Sequence, residues 1–385
     1  MSKLSSVLTV LNGSTIPKEP GSIPAYGGNG IIKYVNKSNY KKNTIIIGRV
    51  GANCGSVNIS REDCWVTDNS LAVIVNEGND PYYFYYLLKL LNLNKLHIGS
   101  SQPLITQSII NDIDIDYSKN IDEQKKISNL LKIIDDKINN NLNIMNLLED
   151  KFMTTFDYWF TQYNFSNSNV ETKFSKKLNK NIPQDWNVDK LSKIILSINT
   201  GLNPRNNFKL GNGNIKYITV KNINLNGTIN FDNCDFIDEN ALRIIHKRSD
   251  ISVNDILYAS ISPLGRAYLI LDEIKDWDIN ESVYSIRPNI DLVSPFYLYM
   301  FLRSKYFIKT AEHSSTGSIF KGIRIDTILN MDVLIPDKKT TFKFEEMFKN
   351  DIKIYKEKNN ENNLLNEYRN FLLPLLMNGQ VIIDG

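Results

Sequence analysis

The sequence predicts an α+β protein that contains two similar α/β globular domains, each followed by a long helix. Three observations predict this class: a length of 385 residues, two long helical patterns and an internal repeat. At roughly 100 to 200 residues per domain, the chain is long enough for two or three units with their own cores. The 42% share of hydrophobic residues excludes a disordered or fibrous protein.

The first long helix is predicted over residues 121–160, where apolar residues recur every three or four positions without an intervening Pro or Gly. Asn120 is a plausible N-cap, and Asp122 and Glu123 place negative charge in the first turn. At 1.5 Å per residue the helix is roughly 60 Å long, so we expect a helical partner.

That partner is predicted over residues 341–373, with the same apolar spacing. Asn359 and Asn362 fall where apolar residues are due. They either lie buried in the seam and fix its register, or mark a point where the helix meets solvent. Pro374 is expected to kink or end this helix, and Asn378-Gly379 to close it.

Two stretches of short β-like runs precede the two helices, and they form the repeat. The first contains Thr44–Val50 and Leu71–Val75; the second contains residues 215–220, 255–261 and 267–271. Each stretch also has a short aromatic helix that begins at a proline, Pro81 or Pro295.

The two copies also share short sequences. Lys3-Leu4-Ser5 matches Lys190-Leu191-Ser192, and Ile113-Asp114-Ile115 matches Met331-Asp332-Val333. The second copy has about 25 extra residues near positions 205–250. Two copies with so long a period indicate a duplicated domain.

Catalytic signatures are weak. No G-x-x-x-x-G-K-[ST] motif occurs, and Asp80-Pro81 is better explained as a helix start than as a methyltransferase motif. Asp255, Glu273 and Lys275 are interpreted as surface charge, and the three histidines have neither metal spacing nor an obvious carboxylate partner. The three cysteines fit free thiols. The net charge of +3 does not by itself indicate a nucleic-acid partner.

Several motifs, taken in order, resemble the specificity (S) subunits of type I restriction-modification systems. In the first copy they are Ile23-Pro24-Ala25-Tyr26-Gly27-Gly28-Asn29-Gly30, Ile47-Gly48-Arg49-Val50-Gly51-Ala52-Asn53, Trp65-Val66-Thr67-Asp68-Asn69 and Gly99-Ser100-Ser101-Gln102-Pro103. In the second they are Ile182-Pro183-Gln184-Asp185-Trp186, Gly201-Leu202-Asn203-Pro204, Ser262-Pro263-Leu264-Gly265-Arg266 and Ser315-Thr316-Gly317-Ser318. Asp122-Glu123-Gln124-Lys125-Lys126-Ile127 at the start of the first long helix also matches.

The resemblance implies target recognition domains at residues 1–120 and 165–340, each reading half of a bipartite DNA target. It also implies long helices at 121–164 and 341–385 that pack as an antiparallel coiled coil and fix the spacer. A half-site separation of about one turn, ~34 Å, is within reach of such a helix.

The expected partners are double-stranded DNA, two modification (methyltransferase) subunits and, through these, restriction/translocation subunits. This chain would hold no cofactor, S-adenosylmethionine being expected in the modification subunit. No apolar run has the ~18 residues of a membrane span, and a cytoplasmic location is expected.

Direct readout needs donors and acceptors on loops, with basic side chains at phosphates. The candidates are Lys33, Tyr34, Arg49, Asn53, Ser101 and Gln102 in the first domain, and Lys221, Asn222, Ser260, Arg266, Thr316, Ser318 and Lys321 in the second. Arg49 and Arg266 each follow a glycine beside an apolar strand, a context that also suits a structural salt bridge or cap.

Two other functions stay open at this point. The chain could be a self-contained DNA adenine methyltransferase or nuclease, which the missing motifs disfavour. It could also be a protein-interaction scaffold that does not bind DNA, in which case it would show no salt-dependent DNA affinity.

Overall fold

The computed structural model describes residues 2–99, 103–165, 170–232, 234–314 and 322–383. The chain divides into two compact units. Unit 1 consists of Met1–Asn140 and Leu364–Gly385, and unit 2 of Asn141–Asn363. Each unit therefore contains one α/β body and part of each long helix.

The described residues of the first half supply nine strands and three α-helices. They are β1 (Ser2–Lys3), β2 (Leu8–Asn12), β3 (Pro20–Gly27), β4 (Gly30–Val35), β5 (Ile45–Gly48), β6 (Val57–Ile59), β7 (Trp65–Val66), β8 (Ser70–Val75), α1 (Pro81–Leu90), α2 (Gln107–Asn111), β9 (Asp114–Ile115) and α3 (Ile121–Phe156).

The second half contains eleven strands and six helices in its described residues. They are β10 (Thr172–Ser175), β11 (Lys180–Pro183), β12 (Asn187–Lys190), β13 (Ile195–Thr200), β14 (Ile215–Ile218), β15 (Asp235–Ile237), α4 (Glu239–Ser249), β16 (Ile256–Ala259), β17 (Ala267–Leu269), β18 (Trp277–Ile279), β19 (Val283–Pro288), α5 (Pro295–Leu302), α6 (Lys305–His313), α7 (Ile325–Leu329), β20 (Asp332–Ile335), α8 (Lys338–Met347) and α9 (Lys349–Met377).

The sheets confirm the predicted repeat. Unit 1 has a four-stranded antiparallel sheet in the order β2-β8-β5-β6, and unit 2 has its counterpart in the order β13-β19-β16-β17. The three-stranded sheets β4-β3-β7 and β15-β14-β18 also correspond. In both, the central strand pairs antiparallel with one neighbour and parallel with the other. This mixed pairing in both copies is a more specific mark of duplication than the short sequence matches.

A short antiparallel pair closes each body, and the matching sequences lie in it. Lys3 is opposite Asp114 in β1 and β9, and Lys190 is opposite Asp332 in β12 and β20. Each lysine Nζ also lies close to a carboxylate oxygen of the aspartate opposite, at 3.3 Å for Lys3 and 3.0 Å for Lys190. These ion pairs are partly exposed, so they add little to stability and mainly mark the equivalence.

The first long helix lies where the sequence predicts it. Asn120 Oδ1 accepts a hydrogen bond of 2.9 Å from the backbone N–H of Asp122, which satisfies a donor of the first turn. Helix α3 continues to Phe156, and a π-helical turn follows over Asp157–Thr161. The predicted limits of 121–160 thus hold.

The second long helix differs from its prediction at both ends. It begins earlier, with α8 at Lys338, and is interrupted at Phe348 before α9. Pro374 does not end it, because α9 continues to Met377. The prediction that Asn378-Gly379 closes the helix is confirmed, because Gly379 has φ +65° and Gln380 N–H donates to the Leu375 carbonyl at 2.9 Å.

The core of unit 1 joins the α/β body to the end of α9. The aromatic helix α1 buries Tyr83 and Phe84, and Leu373 and Leu376 from α9 belong to the same cluster of buried residues. Unit 2 is built in the same way, since Phe152 of α3 meets the rings of Phe296 and Phe348 at 5.1 and 5.0 Å between centroids. This burial also shows that the tyrosines of α1 belong to the core, as their spacing predicts.

A buried polar pair interrupts the helix seam in unit 2. Asn141 is fully buried and Asn362 is 6% exposed, and the Asn141 amide donates to Asn362 Oδ1 at 2.9 Å. The same amide donates to Glu361 Oε2 at 2.9 Å. The sequence left open whether the asparagines lie buried in the seam or meet solvent. Asn362 is buried, whereas Asn359 is only half-buried.

We predict that Asn362→Ala lowers the free energy of unfolding by about 1–3 kcal/mol, because it leaves the buried Asn141 amide with an unmet hydrogen bond. Replacing both residues with leucine should recover much of this loss, since no buried polar group then remains. Urea unfolding of the purified chain measures both effects. Asn140→Ala, at an exposed position of α3, is the control. A double variant no more stable than Asn362→Ala would contradict the argument.

Candidate nucleic-acid interface

Three loops of unit 1 meet at the end of strand β5. The Gly28–Asn29 turn lies against Gly48, whose Cα is 3.5 Å from the position of a Cβ on Gly28. On the other side, Gly51 N–H donates to the Pro103 carbonyl at 3.1 Å, and Ile105 N–H donates to the Arg49 carbonyl at 2.9 Å. The loop 49–53 is thus held between the β3–β4 turn and the segment that follows Ser101-Gln102.

Unit 2 repeats this arrangement at the end of strand β16. Ile323 N–H donates to the Ser260 carbonyl at 2.9 Å, and Ile261 bridges to Gly322. The segment 322–323 follows the predicted candidates Thr316, Ser318 and Lys321. In both units, therefore, the polar loop after β5 or β16 lies beside the described segment that follows the later candidates in sequence.

The unit 1 candidates in the described residues are largely accessible. Lys33 and Tyr34 are exposed on edge strand β4, although Lys33 Nζ also donates to the Pro17 carbonyl at 2.7 Å. Asn53 is exposed at the end of a 3₁₀ turn. Arg49 is half-buried, and its Nε has no hydrogen-bond partner within the described residues.

The unit 2 candidates are more deeply engaged in their own loops. Lys221 is exposed, but Asn222 is 3% exposed and accepts from Thr219 N–H at 2.9 Å while donating to the Asn230 carbonyl at 3.1 Å. Ser260 is buried and its hydroxyl donates to the Ser282 carbonyl at 2.7 Å. In this conformation Asn222 and Ser260 shape the loops and do not offer their side chains to a ligand.

Arg266 has a bracing role that the sequence pattern did not separate from DNA contact. Its guanidinium donates to the carbonyls of Pro263 at 3.0 Å, Ile261 at 2.9 Å and Val220. All three partners are backbone carbonyls. Arg266 therefore does not form, within the described residues, the structural salt bridge that the sequence also allowed. Partial burial lowers the pKa of this guanidinium. Three backbone carbonyls in two loops fix its position.

The strand register shows that Arg266 corresponds to Ser56, not to Arg49. Ile45 pairs with Ile59 as Ile256 pairs with Leu269, which puts Ser56 and Arg266 at the same position before the last strand. The Ser56 hydroxyl donates to the Gly28 carbonyl, and Arg266 donates to that of Val220. Ser56 and Arg266 thus make equivalent contacts in the two units: each joins its own loop to the loop that follows the central strand of the three-stranded sheet.

Five of the thirteen candidates lie outside the described residues: Ser101, Gln102, Thr316, Ser318 and Lys321. Their predicted contacts stay predictions, as do those of the other eight.

Known proteins share this arrangement. Residues 1–149 match the family model described as "Type I restriction modification DNA specificity domain". The chain is 25% identical over 350 residues to the type I restriction enzyme MjaIX specificity subunit of Methanocaldococcus jannaschii, covering 90% of this chain and 79% of that one. The chain is thus similar to the specificity subunits of type I restriction-modification systems. Such subunits are the non-catalytic DNA-recognition components of these systems.

Two further comparisons agree with this family. The chain is 29% identical over 112 residues to the type I restriction enzyme EcoprrI specificity subunit of Escherichia coli, which covers 29% of this chain and 28% of that one. The crystal structure of a type I restriction-modification system S subunit from M. genitalium has the same fold, with a TM-score of 0.54 and 16% identity. The superposition covers 100% of this chain and 96% of that chain.

Other polar groups of this protein have structural partners. The sequence shows no obvious carboxylate partner for His246, and the structure supplies one: its Nδ1 lies 3.3 Å from Oδ2 of Asp278, a buried acid 32 positions away in sequence. Burial raises the pKa of Asp278. Asp255 is not surface charge either, because it is 1% exposed and accepts from Arg287 Nε at 2.8 Å.

Two further findings concern the part of the chain that the structure describes. Its His, Cys, Asp and Glu side chains form no group of three or more suited to a metal ion. None of its helices combines the length and apolarity of a membrane span.

Sequence reasoning missed helix α4, which lies in the extra segment of the second copy. Ala241, Ile245 and Ser249 face the protein, while Arg243 and Lys247 are exposed. The spacing of the buried residues could have revealed this helix, but the many polar residues of the segment obscured it. The α/β body of unit 2 thus carries exposed positive charge on α4.

We predict that Arg266→Ala lowers the free energy of unfolding by about 1.5–3 kcal/mol, because hydrogen bonds from a charged donor are lost. Arg243→Ala, at an exposed site of α4, should change it by about 0.5 kcal/mol or less. Urea unfolding of both variants measures the difference. If Arg266→Ala were as stable as the unsubstituted chain but bound DNA more weakly, direct DNA contact would replace the bracing role.

Proposed function

We propose that each α/β body of this specificity subunit reads one half of a bipartite DNA sequence. The observation that carries the proposal is the duplicated loop cluster at the end of β5 and of β16. Two copies of one scaffold with different loop residues suit two different half-sites. The recognition domains are proposed at residues 1–120 and 165–340, as the sequence suggests.

Base and phosphate contacts are proposed for the loop residues. Lys33, Arg49 and Lys221 would set the position of the body on phosphates, with Tyr34 and Asn53 near base edges. Ser101, Gln102, Thr316, Ser318 and Lys321 belong to the same proposal. We add Arg243 and Lys247 of α4 as phosphate contacts of the second body, because both are exposed cations on one helix face.

The long helices, at 121–164 and 341–385, are proposed to set the spacer between the half-sites and to dock two modification subunits. Helix α3 has 36 residues, or roughly 54 Å of length, and contributes residues to both units. Restriction/translocation subunits would join through the modification subunits, which would supply S-adenosylmethionine. A cytoplasmic location goes with these partners.

One helix face suits such docking. In unit 1, Leu364, Tyr368 and Phe371 are 56%, 61% and 65% exposed, and their spacing of four and three residues puts them on one side of α9. An apolar stripe of this kind on a helix surface is typical of a face that packs against another helix. We propose it as part of the contact with a modification subunit.

The function is tested by adenine methylation of a plasmid library, read base by base, with this chain and a type I modification subunit from the same source. We predict methylation at a split motif only when both are present. Exchange of residues 1–120 for those of another family member should alter one half of the motif and leave the other half intact.

Expression of each protein alone is the control. Methylation by this chain alone would reveal a catalytic centre and restore the methyltransferase interpretation. A change in both halves of the motif after the exchange would contradict the assignment of one half to each body.

Docking is tested by co-purification of the modification subunit with tagged variants of this chain. We predict that Phe371→Glu reduces recovery roughly tenfold or more, because it places a charge at the centre of an apolar contact. Asn370→Glu introduces the same charge at the neighbouring exposed position and should have little effect. Equal recovery with both variants would exclude this face from the contact.

A further inference from the structure

A polar cleft opens in unit 1 between the sheets, α1 and α3. It encloses about 340 Å³. Its lining consists of Tyr26, Gly30, Ile31, Asn58, Ile59, Arg61, Tyr82, Tyr85, Tyr86, Asp135 and Asn139. We refer to it as the unit 1 cleft.

Unit 2 has a cavity at the equivalent place, but it is much smaller, at about 30 Å³. Tyr299 and Leu269 line it, and they hold the positions of Tyr85 and Ile59 in the repeat. The cation beside the tyrosine also recurs: Lys89 Nζ lies 4.6 Å from the Tyr85 ring centroid, and the Arg303 guanidinium 4.9 Å from that of Tyr299. The two cavities therefore occupy equivalent positions in the repeat.

A turn of the chain closes the unit 2 cavity. The long connection after β14 folds back at Leu225, Asn226 and Gly227. Arg303 donates to the Leu225 carbonyl at 2.7 Å, and Tyr355 donates to the Asn226 carbonyl at 2.5 Å. A Cβ on Gly227 would lie 2.0 Å from the Tyr299 hydroxyl, so only glycine fits at this point. The site thus accepts a small turn that presents backbone carbonyls.

Unit 1 has no such turn, because Gly28–Asn29 connects β3 and β4 directly. The side chains that would receive one are left without hydrogen bonds in the described part of the chain: the Tyr82 and Tyr85 hydroxyls and the amides of Asn58 and Asn139. Lys89 likewise makes no hydrogen bond or ion pair there, and burial lowers its pKa.

We propose that the unit 1 cleft binds a glycine-containing surface turn of a partner protein, in the place that residues 225–227 occupy in unit 2.

The charges of the cleft favour a neutral peptide over a nucleic acid. Arg61 is paired with Asp136 at 2.5 Å, and Asp135 with Arg369 at 2.8 Å, so the two charged side chains that line the cleft are both neutralised. A phosphate backbone needs excess positive charge. Ile31, 47% exposed at the rim, adds apolar surface of the kind that protein interfaces bury.

The probe is a fluorescent synthetic peptide with the sequence of residues 222–230, which contains the turn from unit 2. We expect saturable binding to the full-length chain in an anisotropy titration. The same peptide with Gly227→Leu is the matched control, and it should bind at least roughly tenfold more weakly because the side chain clashes at the tyrosine. No saturable binding, or equal binding of both peptides, would overturn the proposal.

Variants of the chain locate the binding. Asn139→Trp fills the cleft and should weaken peptide binding roughly tenfold or more, whereas Asn140→Trp, at the next exposed position of α3, should leave it unchanged. Circular dichroism confirms that both variants fold. If Asn139→Trp bound the peptide normally, or if a DNA duplex displaced the peptide and itself bound less well to this variant, the cleft would not be a peptide site.

Discussion

Each α/β body depends on apolar side chains that come from the other half of the chain. Phe152 and Phe156 of α3 belong to the core of unit 2, together with Phe344 and Phe348. Leu373 and Leu376 of α9 do the same for unit 1. Burying a side chain of this size contributes about 1.5–3 kcal/mol. The helices are therefore part of the two cores, and a body without the opposite helix would expose an apolar surface.

The periodic elements of this fold could be predicted from the sequence, and the exceptions have physical reasons. The spacing that predicts α3 reflects burial on one side, which the structure shows. Of the two outcomes predicted for Pro374, a kink or the end of the helix, the end does not occur, because the loss of one backbone donor near a helix end costs little when Leu376 and Met377 are held in a core. Asn362 could be assigned only when its partner Asn141, 221 positions away, was known.

The candidate site was predicted less well, because a side chain's role depends on contacts between distant segments. Arg49 and Arg266 share a local Gly-Arg context, yet the register equates Arg266 with Ser56. Within the described residues Arg49 Nε has no hydrogen-bond partner, whereas the Arg266 guanidinium donates to three carbonyls. His246 and Asp278 also meet only through folding, and neither the histidine's spacing nor its neighbours indicate this.

The repeat shows how the two bodies can present different loops while keeping one scaffold. The sheets have identical strand orders, so divergence is concentrated in the connections. The Ser56 hydroxyl anchors the β3–β4 turn. Arg266 anchors the longer connection after β14, and it also donates to the Ile261 carbonyl in its own loop. A longer loop loses more conformational entropy on ordering, and more hydrogen bonds are needed to offset that loss. Loop length and anchor strength therefore change together. A substitution at the anchor then alters the presentation of the whole loop while the core beneath it is preserved.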